Sequence, residues 1–347
     1  MTTSKLNPTD QALFARQSSE ICAVLDRCIP ANQPVAFIPF PFDGNVGNHM
    51  MWIAVNTYLK SRGIRVAYTA QPWTLNTDHL KRAIGDGTII FLGGVSVSRL
   101  WPWHAEVKRK VAAACPSNRL VSLPSTMILI DDEDRAEASS LWEGHSDAHM
   151  LARDELSARS GGDAFPKSVS VETVHDTAFM LPPQPRNKRA VEMDVIWLAR
   201  NDHEGAGFAQ PEDIMVFDWP STLEPYNPNV LASRVCSKVR DTVPGISSVA
   251  NRALNSAYMS VSKTMLRRGN QALDRGRVLV TDRLHPHVLA ALRGQYCVML
   301  PDLYGKNRAV WDYSSEEYST IFWADTPEEA LDLARALATK DAAEDER

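Results

Sequence analysis

Apolar positions along the chain follow two alternating rhythms. Short, nearly continuous apolar runs of four to seven residues are separated by longer stretches in which apolar side chains recur every three or four positions. The first pattern predicts buried strands and the second amphipathic helices. A helix is predicted over Asp10–Cys28, with Leu13, Ile21, Val24, Leu25 and Cys28 on one stripe, followed by a strand in the run from Pro34 to Phe40. A helix from His49 to Ser61 and a strand from Ile64 to Thr69 come next. The alternation continues through a helix at Leu80–Ile84, the strand of GTIIFLGG, a helix at Trp103–Ala114 and a strand at Arg119–Leu123. It closes with a helix at Arg135–Trp142, a strand at His149–Ala152, a helix opened by Arg153 and a strand at Val169–Val174.

A proline-rich basic stretch, residues 182–190, interrupts both rhythms and reads as a linker. The pattern then restarts with strands at Met193–Ala199 and Ile214–Phe217. A long helical region follows, carrying Leu254, Tyr258, Val261 and Met265 on one stripe. The strand of RVLVTD, a helix from His285 to Arg293, a strand at Tyr296–Leu300 and a helix at Thr326–Ala338 complete it. Strand and helix in strict alternation imply parallel sheets wrapped by helices, hence an α/β protein of two doubly wound domains, 1–181 and 191–347. Ligands of such sheets bind beyond the carboxyl ends of the strands, so residues just after strands are the candidates for chemistry.

Bulk properties narrow the choices. The chain has 347 residues, 23% of them charged, and a formal net charge of −5, so no global basic field favours nucleic acid. The five cysteines, at 22, 28, 115, 236 and 297, form no CxxC pair, which argues against a zinc site or a disulfide framework and for free thiols in the cytoplasm. The N-terminal residues lack the charged and apolar regions of a secretory signal, and no apolar run reaches the length of a membrane span. A lipid-linked substrate would therefore be reached from the aqueous side, through peripheral contact at the inner face of the membrane.

Four strand ends carry candidate chemistry. In TDRLHPH, a buried strand gives way to a helix N-terminus, whose free N–H groups suit an oxyanion. Arg283 adds a planar fork, His285 a proton carrier, and Asp282 a helix cap or an arginine partner. In FDGNVGNH, Gly44 and Gly47 permit close backbone approach, and Asn45 or Asn48 can cap the helix or bind a ligand. The loop matches neither the P-loop nor the dinucleotide fingerprint. In WLARNDHE, Arg200 can hold an anion while Asp202 and Glu204 position it or take sugar hydroxyls. Arg153 stands at a helix start, where a cation is disfavoured unless an anion or an acidic neighbour faces it. Ser125 and Thr126, closing another strand, are further candidates for the cleft wall, and Trp101, Trp103, Trp142, Trp219 and Trp311 can stack on sugars or pack a core.

Taken in order, FDGNVGN, LGG, LPST, LARDE, HDTAF, WLARNDHE, DWP, TDRLHPHVLAALRG and LPDLYGK resemble the polysaccharide pyruvyltransferase family. The most specific matches are Arg283-Leu284-His285 between strand and helix, and the run Pro301 to Lys306 that ends in Tyr-Gly-Lys. The resemblance implies two Rossmann-like domains facing a cleft, the architecture of many glycosyltransferases, with residues 1–181 on the acceptor side and 191–347 on the donor side. It implies transfer of the enolpyruvyl group of phosphoenolpyruvate to two hydroxyls of one sugar in an exopolysaccharide or envelope glycan, with phosphate released. Carried over to this chain, Arg283, Leu284 and His285 form the donor site, with Lys306 nearby and Arg200 as a second anion clamp. Neither a metal nor a cofactor beyond phosphoenolpyruvate is implied. The chain departs from the family pattern at Asn48, where members carry Asp, at Ser125, where they carry Gln, and at His175-Asp176-Thr177-Ala178, where they carry Pro-Asp-Met-Ala. Two alternatives stand beside this reading: a nucleotide-sugar glycosyltransferase on the same plan, and a non-catalytic member of a polysaccharide biosynthesis cluster.

Overall fold

A computed structural model describes residues 6–95, 100–219, 228–243 and 245–345. The first half begins with helix α1 (Pro8–Cys28), capped by the Asn7 side chain. Strand β1 (Val35–Ile38), α2 (Val46–Ser61), β2 (Val66–Tyr68), α3 (Thr77–Ile84), β3 (Thr88–Phe91) and the short β4 (Gly94–Val95) follow. Then come α4 (Pro102–Ala114), β5 (Leu120–Thr126), α5 (Asp132–Leu141), β6 (Ala148–Ala152), α6 (Glu155–Ala164) and β7 (Val169–Thr173). The sheet runs β2-β1-β3-β5-β6-β7, with β4 on β5, and every pairing is parallel. Strands β1 and β3 are buried at every position, as expected for parallel strands covered on both faces by helices.

The second half contains β8 (Met193–Leu198), β9 (Met215–Phe217), α7 (Pro228–Thr242), α8 (Ser247–Asp274), β10 (Gly276–Thr281) and α9 (Leu284–Arg293). It ends with β11 (Cys297–Met299), α10 (Lys306–Val310), a π-helical turn at Trp311–Ser315, β12 (Ile321–Trp323) and α11 (Pro327–Asp345). Its sheet is β12-β11-β10-β8-β9, again all parallel. The sequence reading did not separate α7 from α8 and missed α10 and β12. The last two are short, five and three residues, and their apolar positions are too few to show a period.

Packing crosses the chain midpoint in both directions. Helix α8 lies along α2 and the loop before it: Tyr258 stacks on Phe40, just after β1, with ring centroids 3.8 Å apart, and Ser262 hydrogen-bonds His49 of α2. In return, α1 packs on the π-helical turn, where Gln17 donates to the Ser314 carbonyl at 2.6 Å. One apolar cluster accordingly contains Phe37, Trp52 and Leu59 together with Leu254, Leu279 and Leu289. The proline-rich stretch is also fixed, because the Arg186 guanidinium makes a buried fork to both oxygens of Asp341 at 3.0 and 2.9 Å.

Strand order locates the site. In the first sheet the direction of winding reverses between β1 and β3, and in the second between β8 and β10. Chains leaving adjacent strands toward opposite faces open a crevice at such a point. The two crevices face one another, and the loops after β1, β3, β8 and β10 line a shared cleft of about 510 Å³.

Candidate active site

Gly47 brings the two halves together. It lies in the first turn of α2, and a Cβ built on it would stand 2.2 Å from Cγ of His285. Only glycine lets the N-terminus of α2 close over that imidazole. Asn45 caps α2 by accepting from the Gly47 N–H at 3.1 Å, while α9 has Arg283 at its cap position and no side-chain cap among the described residues. Two helix N-termini thus converge on the cleft, one from each half.

His285 Nε2 sits 3.3 Å from Oδ2 of Asp176, an ion-pair distance whose alignment falls short of a hydrogen bond. The same oxygen accepts from Arg153 Nη1 at 3.0 Å. Asp176 is fully buried, and burial alone raises a carboxyl pKa. The charge of His285, its hydrogen-bonding capacity and Arg153 outweigh that effect and hold the group well below the usual carboxylate range. The acidic neighbour expected for Arg153 is therefore Asp176 rather than the adjoining Asp154, which caps α6 through Ser157 N–H at 2.7 Å. Arg153 precedes that helix rather than opening it. Its Nε is held by Thr126 Oγ1 at 2.8 Å.

The remaining cations form a lattice with acids. Arg283 makes a two-pronged contact with Asp218, its Nη2 lying 2.7 Å from Oδ2, and also reaches Asp202 Oδ2 at 3.2 Å. Arg200 Nε donates to Asp202 Oδ1 at 2.6 Å, and its Nη2 lies 2.9 Å from Glu204 Oε1. Lys306 contacts Glu204 and is 3.9 Å from Asp302. Burial, then the charges of Arg200 and Arg153, hold the Lys306 ammonium well below the usual lysine value. Gly305, at φ 72°, turns the chain so that Lys306 starts α10 and faces the cleft. Asp282 does not cap α9. It accepts from the Arg200 N–H at 2.8 Å, and burial pushes its carboxyl up to about 6.

The opposite wall comes from the first half. Asn48 Nδ2 donates to both oxygens of Asp43, at 3.3 and 3.1 Å. Burial pushes the Asp43 carboxyl up to about 6, against the pull of Asn48, the Asn45 N–H and Arg283. The backbone carbonyl of Asp43 bonds Nε2 of His49, whose own burial lowers its pKa to about 4. Aromatic rings surround this wall: Phe42 packs edge-on against Trp73 and Trp103 with centroids 4.8 and 4.9 Å apart, and Trp101 donates to Glu204 Oε1 at 2.5 Å.

Of the residues singled out in the sequence, Asn45, Asn48, Arg153, Arg200, Asp202, Glu204, Arg283, Leu284, His285 and Lys306 line the cleft, as do Trp101, Trp103 and Trp219. Ser125 does not. Strand β5 runs on through Pro124 to Thr126, so Ser125 is inside the sheet opposite Gly94 and bonds the Leu123 carbonyl at 2.7 Å. Trp142 is buried in the first core, and Trp311 packs on Trp323. Three acids were overlooked as site residues: Asp43, Asp176 and Asp218. Each immediately follows a strand or the short connection after one, the same signal that marked the arginines. Among the described residues, no group of three or more His, Cys, Asp or Glu side chains could hold a metal ion.

This geometry has counterparts among known proteins. The family model for polysaccharide pyruvyl transferase matches residues 45–301, from the cap of α2 to the loop after β11. The chain belongs to that family. A protein of Schizosaccharomyces pombe named pyruvyl transferase 1 is 29% identical over 268 residues, 75% of this chain and 64% of its own length. The chain therefore spans less than two thirds of that relative. A Bacillus subtilis protein, provisionally named pyruvyl transferase EpsO, is 22% identical over 80% of this chain and 84% of its own. The crystal structure of an uncharacterized Klebsiella pneumoniae protein superposes with a TM-score of 0.53 at 15% identity, covering 89% of this chain and 99% of that one. This last likeness establishes the fold, two parallel-sheet domains on a GT-B-like plan.

Proposed function

We propose that the cleft transfers the enolpyruvyl group of phosphoenolpyruvate to two hydroxyls of a glycan sugar, forming a pyruvate ketal and releasing phosphate. The observation that carries this reading is the convergence of Arg283, Arg200, Lys306 and His285 on one crevice beside the uncapped N-terminus of α9. A donor bearing both a phosphate and a carboxylate needs two oxyanion sites close together, and fixed cations and helix N–H groups supply them. Arg283 and the α9 N-terminus take the phosphate in this reading, and Arg200 with Lys306 the carboxylate.

Chemistry then proceeds in two additions. His285, poised by Asp176, delivers a proton to the methylene carbon of the donor, which becomes a methyl group and leaves oxocarbenium character on the central carbon. A sugar hydroxyl oxygen bonds to that carbon as its proton passes to a base. Asp43 suits the role of base: it is on the acceptor-side wall, among Phe42 and Trp103, with its carboxyl shifted toward neutrality. Asp202 and Glu204, expected from the sequence to position an anion or take sugar hydroxyls, are engaged by Arg200 and Lys306. The carbon–oxygen bond to phosphate breaks with the electron pair leaving on phosphate. The second hydroxyl closes the ketal, its proton leaving with the phosphate.

The test is incubation with isotopically labelled phosphoenolpyruvate and a panel of β-galactosides, glucosides and N-acetylmannosaminides, scored by mass gain and phosphate release. His285→Ala should lose at least about 100-fold in turnover, and a loss under about tenfold would remove the acid role. A thermal-shift comparison separates the glycosyltransferase alternative: stabilisation by a nucleoside diphosphate and none by phosphoenolpyruvate would overturn the donor assignment.

A further inference from the structure

The hairpin of α7 and α8 has a composition unlike that of the rest of the chain. Between residues 228 and 274 there are seven Lys or Arg and two Asp, a balance of +5 inside a chain of −5. Helix α8 has no acidic side chain before its last residue, Asp274. Arg252, Lys263 and Arg267 are all exposed, and their spacing puts them on one face of α8. Two further exposed cations, Lys60 from the end of α2 and Arg65 from the approach to β2, join Arg252 and Lys263 around a groove that no acid lines among the described residues.

Aliphatic exposure concentrates in the same place. Among the described residues, nine large apolar side chains are strongly exposed, and five of them are Leu231, Val235, Val243, Ile246 and Val249. Leu231 and Val235 are one helical turn apart on α7, next to the exposed Arg234 and Lys238, so the outward face mixes aliphatic and cationic groups. The inward face of α7 is fixed: Arg240 is fully buried and donates to the carbonyls of Thr69 and Thr74 at 2.7 and 2.8 Å. Asn251, near the start of α8, donates to the Ala67 carbonyl in edge strand β2 at 2.8 Å. The hairpin is therefore a firmly seated element that presents aliphatic groups along α7 and at its turn, and cations along its flank.

We infer that the α7–α8 hairpin docks the protein on an anionic lipid surface. Exposed aliphatic groups gathered on one element, rather than scattered singly, point to an interaction site. Their interleaving with Lys and Arg fits an interfacial helix, whose apolar groups enter the acyl boundary while cations meet acidic headgroups. No described helix is long and apolar enough to cross a membrane, so the contact is with the surface. The inference draws on the hairpin and the two cations beside it, and does not depend on the donor assigned to the cleft.

Sedimentation with sucrose-loaded vesicles tests it. The full chain should bind phosphatidylcholine vesicles containing about one third phosphatidylglycerol, bind pure phosphatidylcholine at least tenfold more weakly, and lose affinity as salt rises. The double variants Val235→Ser with Ile246→Ser, and Arg252→Gln with Lys263→Gln, should each lower binding to acidic vesicles about tenfold or more. Circular dichroism and melting temperature identify any variant that fails to fold, and the milder single changes Ile246→Ser and Lys263→Gln then replace it. Absence of wild-type binding to acidic vesicles overturns the inference, as does binding that folded variants retain. A dimer in sedimentation equilibrium that Val235→Ser with Ile246→Ser disperses would assign the surface to a second copy of the chain and equally overturn it.

Discussion

Asp176 is the residue on which the candidate acid depends. Its carboxylate is shared between His285 and Arg153 in a fully buried position. Asp176→Asn keeps the shape and removes the charge. Turnover should fall by about 10²-fold or more, by the usual size of acid catalysis. The pH dependence of stability should change as well. A carboxyl held below its unfolded value stabilises the fold above about pH 4 and loses that contribution as pH falls through its folded value. Acid denaturation followed by circular dichroism should therefore be less steep below about pH 4 in Asp176→Asn, from a lower plateau, because removing one partner of a buried ion pair costs about 3–5 kcal/mol. Asp43 has the opposite sign. Burial raises it to about 6, so as a base it becomes competent as pH rises through that value, and kcat/KM should climb over the same interval. Asn48→Asp would set a second carboxylate against it at the present amide distance of 3.1 Å. Like charge raises a carboxyl pKa further, so the ascending limb should move to higher pH in that variant.

At the scale of elements, the approach of α2 to α9 makes a sharper demand than either helix alone. Gly47→Ala places a methyl group inside the van der Waals envelope of His285. Overpacking of this kind costs about 1–3 kcal/mol, and here the yielding atoms are those of the imidazole. We expect a modest drop in melting temperature accompanied by a loss of kcat at least tenfold, measured side by side. How far each element was legible follows from the same distinction between local and distant contacts. The strands and most helices were visible because each carries its own period, and the strand-end rule brought Arg153, Arg200, Arg283 and His285 to attention before any contact was known. Gly47 was legible as a place of close approach, but its partner, 238 residues farther along, was not. Asp176 follows the last strand of the first sheet and met the same rule. It was read only as part of HDTAF, a segment that both carries the resemblance and departs from the family pattern around it, because its role exists only once His285 arrives from the other half. Ser125 erred in the other direction: the strand was expected to end at Leu123, but β5 continues through Pro124 to Thr126.

Over the whole molecule, the two halves are interlocked, with α8 lying on α2 and α1 on the π-helical turn. The long stripe of α8 was legible as the apolar face of a helix, but a stripe carries no label for the sheet it will cover, and this one crosses to the other half. Donor binding between the halves should stabilise both together. At a donor concentration about 100 times Kd, linkage predicts about 2.7 kcal/mol, readable as a single cooperative rise in melting temperature rather than a split transition.

The paired state of the cleft cations has a thermochemical consequence. Arg283, Arg200 and Lys306 already neutralise Asp218, Asp202 and Glu204, so an incoming dianionic phosphate and a carboxylate find their counter-charges engaged. Accommodating them makes some of the protein's acids superfluous as anions, and Asp282 and Asp43, both at about 6, are the nearest to accepting a hydrogen ion. Titration calorimetry in buffers of differing ionisation heat should accordingly register a net uptake of hydrogen ions as the donor enters, growing as the solution is brought toward mild acidity, and their return to the buffer when phosphate departs.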